Sequence, residues 1–196
     1  MDSSEKWPLF VIGKFKNPRC FKGLKKLCVN YRANSKSWMT SERFSEWLQE
    51  FDSSMMRKQK VLIVDNCSAH TRINNLKATE LLFMPPNATS ILQPCDQGSI
   101  QNLKVHYRST MLSKLVGHMD ADLSSDDFKI TLLDAILMLK TACDRVLPAT
   151  IVNCFRQAGF LHAVDGPVIE NSVPSTSNES NVTDISVDTL LARLYQ

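Results

Sequence analysis

The segment VLIVDNCSAH (61–70) places an aspartate directly after a short apolar run. Residues 61–64 contain no polar side chain, and such a run is typical of a strand that is covered on both faces. Ligands of open α/β sheets bind beyond the carboxyl ends of the strands, so Asp65 stands where a functional carboxylate is expected. A simpler interpretation also holds at this point, in which Asp65 and Asn66 only form a turn.

A second segment, LLFMPPNATSILQPCDQGSIQNLK (81–104), brings another aspartate to the end of an apolar run. Pro85 and Pro86 stop that run, and Asp96 stands at the start of a helix that we predict over roughly residues 97–116. Asp96 can face the same crevice as Asp65, or it can simply cap the helix. Two such aspartates can hold Mg²⁺ or Mn²⁺ against phosphate oxygens, because hard cations prefer carboxylate ligands.

The remaining pattern predicts an α/β domain. WPLFVI (7–12) is predicted to be a strand that Gly13 ends, and residues 28–32 a short second strand. Thr40 is a good N-cap for a helix whose apolar face is formed by Phe44, Trp47, Leu48, Phe51 and Met55. We expect Trp38 to pack against that helix.

Two further helices are predicted before the sequence changes character. One starts at residues 124–127, and the other runs between Pro148 and Gly159. After Phe160 the chain becomes rich in Ser, Asn and Thr. We therefore predict a domain over 7–160 and a flexible tail over 161–196, with room for a short terminal helix.

Composition excludes several classes of protein. The 196 residues are 43% hydrophobic and 22% charged, which suits one folded domain. The six cysteines form no C-x-x-C pair and no signal peptide precedes them, so reduced thiols inside the cell fit best. No apolar run approaches the roughly 20 residues that span a bilayer, and no membrane association is expected.

Positive charge is concentrated near the start of the chain. The net charge is only +3, yet residues 13–36 contain eight Lys and Arg and no acidic residue. Such a block can neutralise DNA phosphates, or it can be an ordinary solvated loop. The candidate DNA contacts are Lys14, Lys16, Arg19, Lys22, Lys25, Lys26 and, on the helix after Asp96, Lys104 and Arg108. The last two can equally belong to a solvated helix face.

These segments resemble a known family. DNCSAH (65–70) and MPPNATSILQPCDQG (84–98) are similar to the second and third acidic motifs of the DDE superfamily, in its pogo/Tigger branch, which is related to centromere protein B and the jerky proteins. Thirty residues separate the two aspartates, as is typical of pogo-type elements. Further similarity is carried by PLFVIGKFKNPRCFKG (8–23), YRANSKSWMTSERFSEWL (31–48) and ATIVNCFRQAGF (149–160).

The resemblance implies an RNase H-like fold, a mixed sheet flanked by helices, with extra helices toward the C-terminus. It implies that Asp65 and Asp96 bind Mg²⁺ or Mn²⁺ for metal-dependent DNA cleavage and strand transfer. Asn66, His70 and Gln97 would contact those carboxylates or DNA, although His70 needs no role as a loop histidine. A nuclear protein that binds DNA, with a homo-oligomer or another protein as a further partner, is the corresponding expectation.

One departure from the family pattern shapes the functional expectation. WPLFVI matches the third strand of the implied fold, so the first two strands and the first catalytic aspartate are expected to be missing. We therefore expect a transposase-derived nucleic-acid-binding domain, N-terminally truncated and without strand-transfer activity. The alternatives are an active endonuclease whose first aspartate comes from another segment or chain, a non-catalytic protein-interaction module, and a relic with no selected role.

Overall fold

A computed structural model of the chain describes residues 6–56, 58, 60–121 and 128–161. The predicted tail from residue 162 onward and residues 124–127 lie outside the described residues. The helix that we predicted to start at 124–127 begins instead at Leu132, because residues 128–130 are not helical and Thr131 forms a capping box with Asp134. Within the described residues, the chain combines helices with short parallel strands, so the prediction of a mixed helix and strand domain is confirmed at this level. None of the helices in these ranges combines the length and the hydropathy needed to cross a membrane.

Two pairs of parallel strands form the β-structure of the described residues. Strand β1 (Phe10–Gly13) pairs with β2 (Asn30–Ala33), and β3 (Lys60–Val64) pairs with β4 (Thr79–Phe83). The pairs form two separate sheets. The incomplete RNase H-like fold, with its first two strands missing, stays a prediction.

The first strand is shorter than predicted. It begins at Phe10 rather than at Trp7, because its partner β2 provides only four pairing residues and Pro8 has no N–H to donate. Gly13 ends the strand in the predicted place, where the ring and hydroxyl of Tyr31 fill the space that a Cβ atom would need.

Helix α1 (Ser41–Ser54) forms as the sequence predicts. The hydroxyl of Thr40 accepts a hydrogen bond from the backbone N–H of Arg43, and Glu42 lies in the first turn, where the helix dipole favours an acid. The apolar face of the helix packs on one face of the β3–β4 pair, and Phe44, Leu48 and Val64 form the centre of that core.

Two predictions about this region are wrong. The β3 strand is covered on one face only, because α1 packs on the side of Leu62 and Val64 and leaves Val61 55% exposed on the other side. Trp38 does not pack against α1; its side chain is 73% exposed. The side-chain amide of Asn34 donates a hydrogen bond to the backbone carbonyl of Trp38 and accepts one from its backbone N–H, and the indole is directed to solvent.

Helices form the second half of the described chain: α2 (Thr89–Leu92), a π-helical turn (Cys95–Ser99), α3 (Ile100–Met119), α4 (Leu132–Arg145) and α5 (Pro148–Gln157). The helix after Asp96 starts at Ile100 rather than near Gln97, because Gly98 has φ +130°, which breaks the helical path. Helix α4 packs on α3, and α5 packs on the π-helical turn. As predicted, Pro148 opens α5 and Gly159, with φ +80°, follows its end.

The chain segment before β1 joins the two halves. The ammonium group of Lys6 donates to the carbonyl oxygens of Cys143 and Val146, at 2.7 and 2.5 Å. These carbonyls lie at the carboxyl end of α4, where a helix leaves acceptors without partners and where its dipole favours a cation. Lys6 therefore both caps α4 and holds the residues before β1 against the helical half.

Candidate metal and nucleic-acid site

Asp65 lies directly beyond the carboxyl end of β3, as predicted. Its Oδ1 atom accepts a hydrogen bond from the backbone N–H of Cys67 at 3.2 Å and lies 2.5 Å from Nδ1 of His70. The side chain of Asp65 is 30% exposed and that of His70 is 22% exposed. The carboxylate is therefore oriented by its neighbours and still accessible to an ion from solvent.

The connection from β3 to β4, residues 65–78, is fixed at its start. The side-chain amide of Asn66 donates to the carbonyl oxygen of Met84 just after β4, at 3.2 Å. The backbone N–H of His70 donates to the carbonyl oxygen of Cys67, and the imidazole ring lies 4.5 Å from the ring of Phe44 in the core. Asn66 thus positions the loop, and His70 contacts the carboxylate of Asp65, one of the contacts expected for it.

The same connection is fixed at its other end by a buried carboxylate. Asp52 on α1 accepts hydrogen bonds from the backbone N–H groups of Lys77 and Ala78, at 2.9 and 2.8 Å. The N–H of Lys77, together with that of Ala78, holds the pKa of the Asp52 carboxyl below its usual value of 3.8. Asp52 therefore anchors the connection from β3 to β4, which contains Asp65, to helix α1.

Asp96 lies in the π-helical turn and is exposed. Its backbone N–H donates to the carbonyl oxygen of Gln93, at 3.0 Å. The side-chain amide of Gln97 donates to the carbonyl oxygens of Ser90 and Ile91, at 2.8 and 3.0 Å, so it holds α2 against the turn. A metal- or DNA-binding role for Asp96 and Gln97 stays a prediction.

A cavity of about 400 Å³ opens beside Asp65. Its lining includes Trp7, Asp65, His70 and Gln93 together with apolar residues of β1, α1 and β3. Two of the lining residues each have a buried polar atom, the indole Nε1 of Trp7 and the side-chain oxygen of Gln93, without a hydrogen-bond partner among the described residues. Gln93 was missed as a site residue, although it stands three positions before Asp96 within the quoted motif.

One cluster of metal-ligating side chains stands out in the described part of the chain. The ligand atoms of Asp65, Cys67 and His70 all lie within 4.8 Å of one another. Asp96 does not belong to this cluster. Cys67 was missed in the sequence analysis, yet the spacing D-x-C-x-x-H was available there as a signal.

The basic residues near the chain start lie together on one connection. Six side chains on the connection from β1 to β2 are exposed: Lys14, Lys16, Arg19, Lys22, Lys25 and Lys26. Within the described ranges, none of them forms an ion pair with an acidic residue. The arrangement is therefore an exposed positive surface, which we call the basic segment, residues 14–26.

Lys104 and Arg108 lie on α3 and are half-buried. Arg108 lines a shallow groove whose other walls include the exposed apolar side chains Val105, Leu112 and Val116. Arg108 therefore lies on a surface that is more apolar than the basic segment. The role of Lys104 and Arg108 as DNA contacts stays a prediction.

Comparison with known proteins identifies the class to which this fold and site belong. Residues 1–155 match the family described as DDE superfamily endonuclease, and the chain belongs to that family. The resemblance predicted from the two acidic motifs is therefore confirmed. No solved structure matches the chain.

The relatives include transposable-element-derived and centromere proteins. The chain is 41% identical over 162 residues to Tigger transposable element-derived protein 4 of Mus musculus, covering 82% of this chain and 31% of the relative. It is 32% identical over 162 residues to major centromere autoantigen B of Homo sapiens, covering 81% and 26%. ARS-binding protein 1 of Schizosaccharomyces pombe is 30% identical over 207 residues, covering 98% and 37%. The chain thus spans about a third of the length of these relatives.

Proposed function

We propose that this chain is a transposase-derived nucleic-acid-binding domain that contacts the DNA backbone through the basic segment. The observation that carries the proposal is the run of six exposed cations on one connection, none of which pairs with an acid among the residues that the structure describes. Each Lys or Arg that neutralises a phosphate releases condensed counterions, which favours binding regardless of base sequence. The names of two relatives, major centromere autoantigen B and ARS-binding protein 1, support the same class of ligand.

The proposal includes an RNase H-like architecture and a place in the nucleus. Family membership supports both, and the two parallel strand pairs with flanking helices are compatible with part of such a fold. A homo-oligomer or a protein partner is a further part of this proposal. Strand transfer by this chain alone is not part of it.

Asp65 is the residue that we propose as a ligand of Mg²⁺ or Mn²⁺, with Asp96 as the second carboxylate. Gln93 lines the same cavity as Asp65, its side-chain oxygen has no hydrogen-bond partner among the described residues, and an amide oxygen is a ligand that hard cations accept. A bound ion would polarise a phosphate oxygen and lower the pKa of an attacking hydroxyl or water. His70 and the N–H of Cys67 hold Oδ1 of Asp65 in place, which leaves Oδ2 as the atom that can be offered to the ion.

Binding of a duplex without a defined target sequence tests the proposal. The test variant replaces Lys14, Lys16, Arg19, Lys22, Lys25 and Lys26 by Gln. The matched control replaces six exposed cations elsewhere, Lys58, Lys60, Arg72, Lys77, Lys114 and Lys129, also by Gln. Removing six positive charges from a net charge of +3 leaves −3 in both variants.

Net charge alone cannot separate the two variants, so any difference between them reports position. We expect the test variant to lose nearly all retention on DNA, while the control keeps most of it. Equal loss in the two variants would refute a binding role for the basic segment. Full retention by the test variant, or no retention of the unmodified chain at physiological salt, would support the rival view of a module that binds only protein.

An active endonuclease is the second candidate function, favoured by the oriented and accessible carboxylate of Asp65 beyond β3. Nicking of supercoiled plasmid in the presence of Mn²⁺ tests it. Nicking by the purified chain that disappears in both Asp65→Ala and Asp96→Ala would establish cleavage and end the proposal that the chain is inactive. Nicking that survives both substitutions would come from a contaminant.

A further inference from the structure

We propose that Asp65, Cys67 and His70 form a zinc site on the connection from β3 to β4. Their ligand atoms, a carboxylate oxygen, a thiol sulfur and an imidazole nitrogen, lie within 4.8 Å of one another. Three protein ligands with a fourth position open to water is a common arrangement for Zn²⁺ in proteins. The site rests on the geometry of this cluster and stands whether or not the chain binds DNA. Because it shares Asp65 with the Mg²⁺ or Mn²⁺ site proposed above, Zn²⁺ and the hard cation would compete for that carboxylate.

The chemistry of the three ligands selects the metal. Thiolate and imidazole are softer ligands than carboxylate, and they favour Zn²⁺ over Mg²⁺, which takes oxygen ligands almost exclusively. The residues also differ from a set of acids that happen to lie close together, since each supplies a different ligand atom. Cys67 is exposed, so an ion reaches its sulfur directly from solvent.

The loop holds the three residues in a short, closed turn. The carbonyl oxygen of Cys67 accepts the backbone N–H of His70 at 2.9 Å, and Ala69 between them is buried. The side chain of Asn66 holds the loop against the end of β4, and the ring of His70 rests on Phe44. Little conformational freedom remains to be lost when an ion binds, which favours binding.

Small movements of side chains complete the geometry. Two ligand atoms at about 2.0–2.1 Å from Zn²⁺ in a tetrahedral arrangement lie about 3.3 Å apart. The Asp65 oxygen and Nδ1 of His70 are 2.5 Å apart and share a hydrogen bond, so they would move apart by less than about 1 Å as Zn²⁺ takes the place of that hydrogen. The displaced proton passes to solvent, and a neutral imidazole then carries its hydrogen on Nε2. The thiol of Cys67 gives its proton to solvent as the Zn–S bond forms.

Cobalt(II) titration of the full chain tests the site, because Co²⁺ takes Zn²⁺ positions and absorbs visibly. We expect one equivalent of Co²⁺ to give the spectrum of a tetrahedral centre together with a thiolate-to-cobalt band, and Zn²⁺ to displace it. Mg²⁺ should displace neither ion. An unmodified chain without the thiolate band would overturn the proposal.

Variants assign the ligands. Cys67→Ser should remove the thiolate band. Loss of a group that only supports a metal ligand weakens metal binding roughly 10–100-fold, so loss of the ligand itself should weaken zinc binding at least as much. Its matched control is Cys28→Ser, which changes another exposed cysteine and should leave the spectrum unchanged. A band that survives Cys67→Ser, or one that Cys28→Ser removes, would overturn the assignment. Because Cys67 is exposed, we expect Cys67→Ser to remain folded, which circular dichroism checks. His70→Ala is the second variant in which the affinity for zinc is measured.

Discussion

The contact between Asp65 and His70 makes a quantitative prediction. A hydrogen bond to a charged group contributes about 1.5–3 kcal/mol, but pairs open to solvent contribute about 0–1 kcal/mol. Both side chains are partly exposed, at 30% and 22%, so we expect a coupling energy between these limits, about 1–2 kcal/mol. His70→Ala should destabilise more than the coupling alone, since it also removes a ring contact with Phe44 worth about 0.5–1.5 kcal/mol.

A double-mutant cycle in urea measures this coupling. The free energy of unfolding is determined for the unmodified chain, Asp65→Ala, His70→Ala and the double variant at pH 7. A parallel cycle pairs Asp65→Ala with Thr131→Ala, which removes the N-cap of α4 and shares no hydrogen-bond partner with Asp65. The control cycle should be additive within about 0.3–0.5 kcal/mol. If the two destabilisations in the Asp65–His70 cycle also add within that range, the contact between these side chains does not orient the carboxylate.

Two further substitutions test the support of the site. Leu48→Ala opens a cavity in the fully buried core between α1 and β3. The free energy of unfolding, measured in urea, should fall by about 2–5 kcal/mol. A decrease below about 1 kcal/mol would contradict the packing described. Asp52→Asn should destabilise most at neutral pH. The pKa of the Asp52 carboxyl is lower in the folded chain than its unfolded value of 3.8, so the charged carboxylate stabilises the fold above that pH. This stabilisation is lost as the pH falls through the lowered folded pKa. Thermal unfolding from pH 7 down to pH 2 should show the two proteins converging in acid, and a constant difference would refute the anchoring role of this carboxylate.

The elements nearest the site were predictable because local rules act strongly there. Thr40 caps α1, Pro148 opens α5, and the apolar run before Asp65 forms β3. Each follows from hydrogen bonds or sterics within a few residues of sequence. The position of Asp65 at a strand end could therefore be predicted without knowledge of the rest of the fold.

What the sequence did not disclose depends on contacts between distant segments. An apolar strand sequence does not indicate whether one face of the strand is covered or both. Val61 is exposed because α1 packs on the opposite face of β3. Trp38 precedes the Thr40 cap and was expected to pack against α1, whereas Asn34 fixes its backbone and the indole lies in solvent. Cys67 gains meaning only when the turn brings its sulfur beside two other ligand atoms.

The salt dependence of DNA binding tests the central claim most directly. If each of the six cations of the basic segment contacts one phosphate, they contribute about −5 to the slope of log K against log salt concentration. We predict that replacing all six by Gln makes the slope shallower by at least about 3, while the matched control changes it by less than about 1. Equal slopes for the unmodified chain and the test variant would contradict the claim that the basic segment binds DNA.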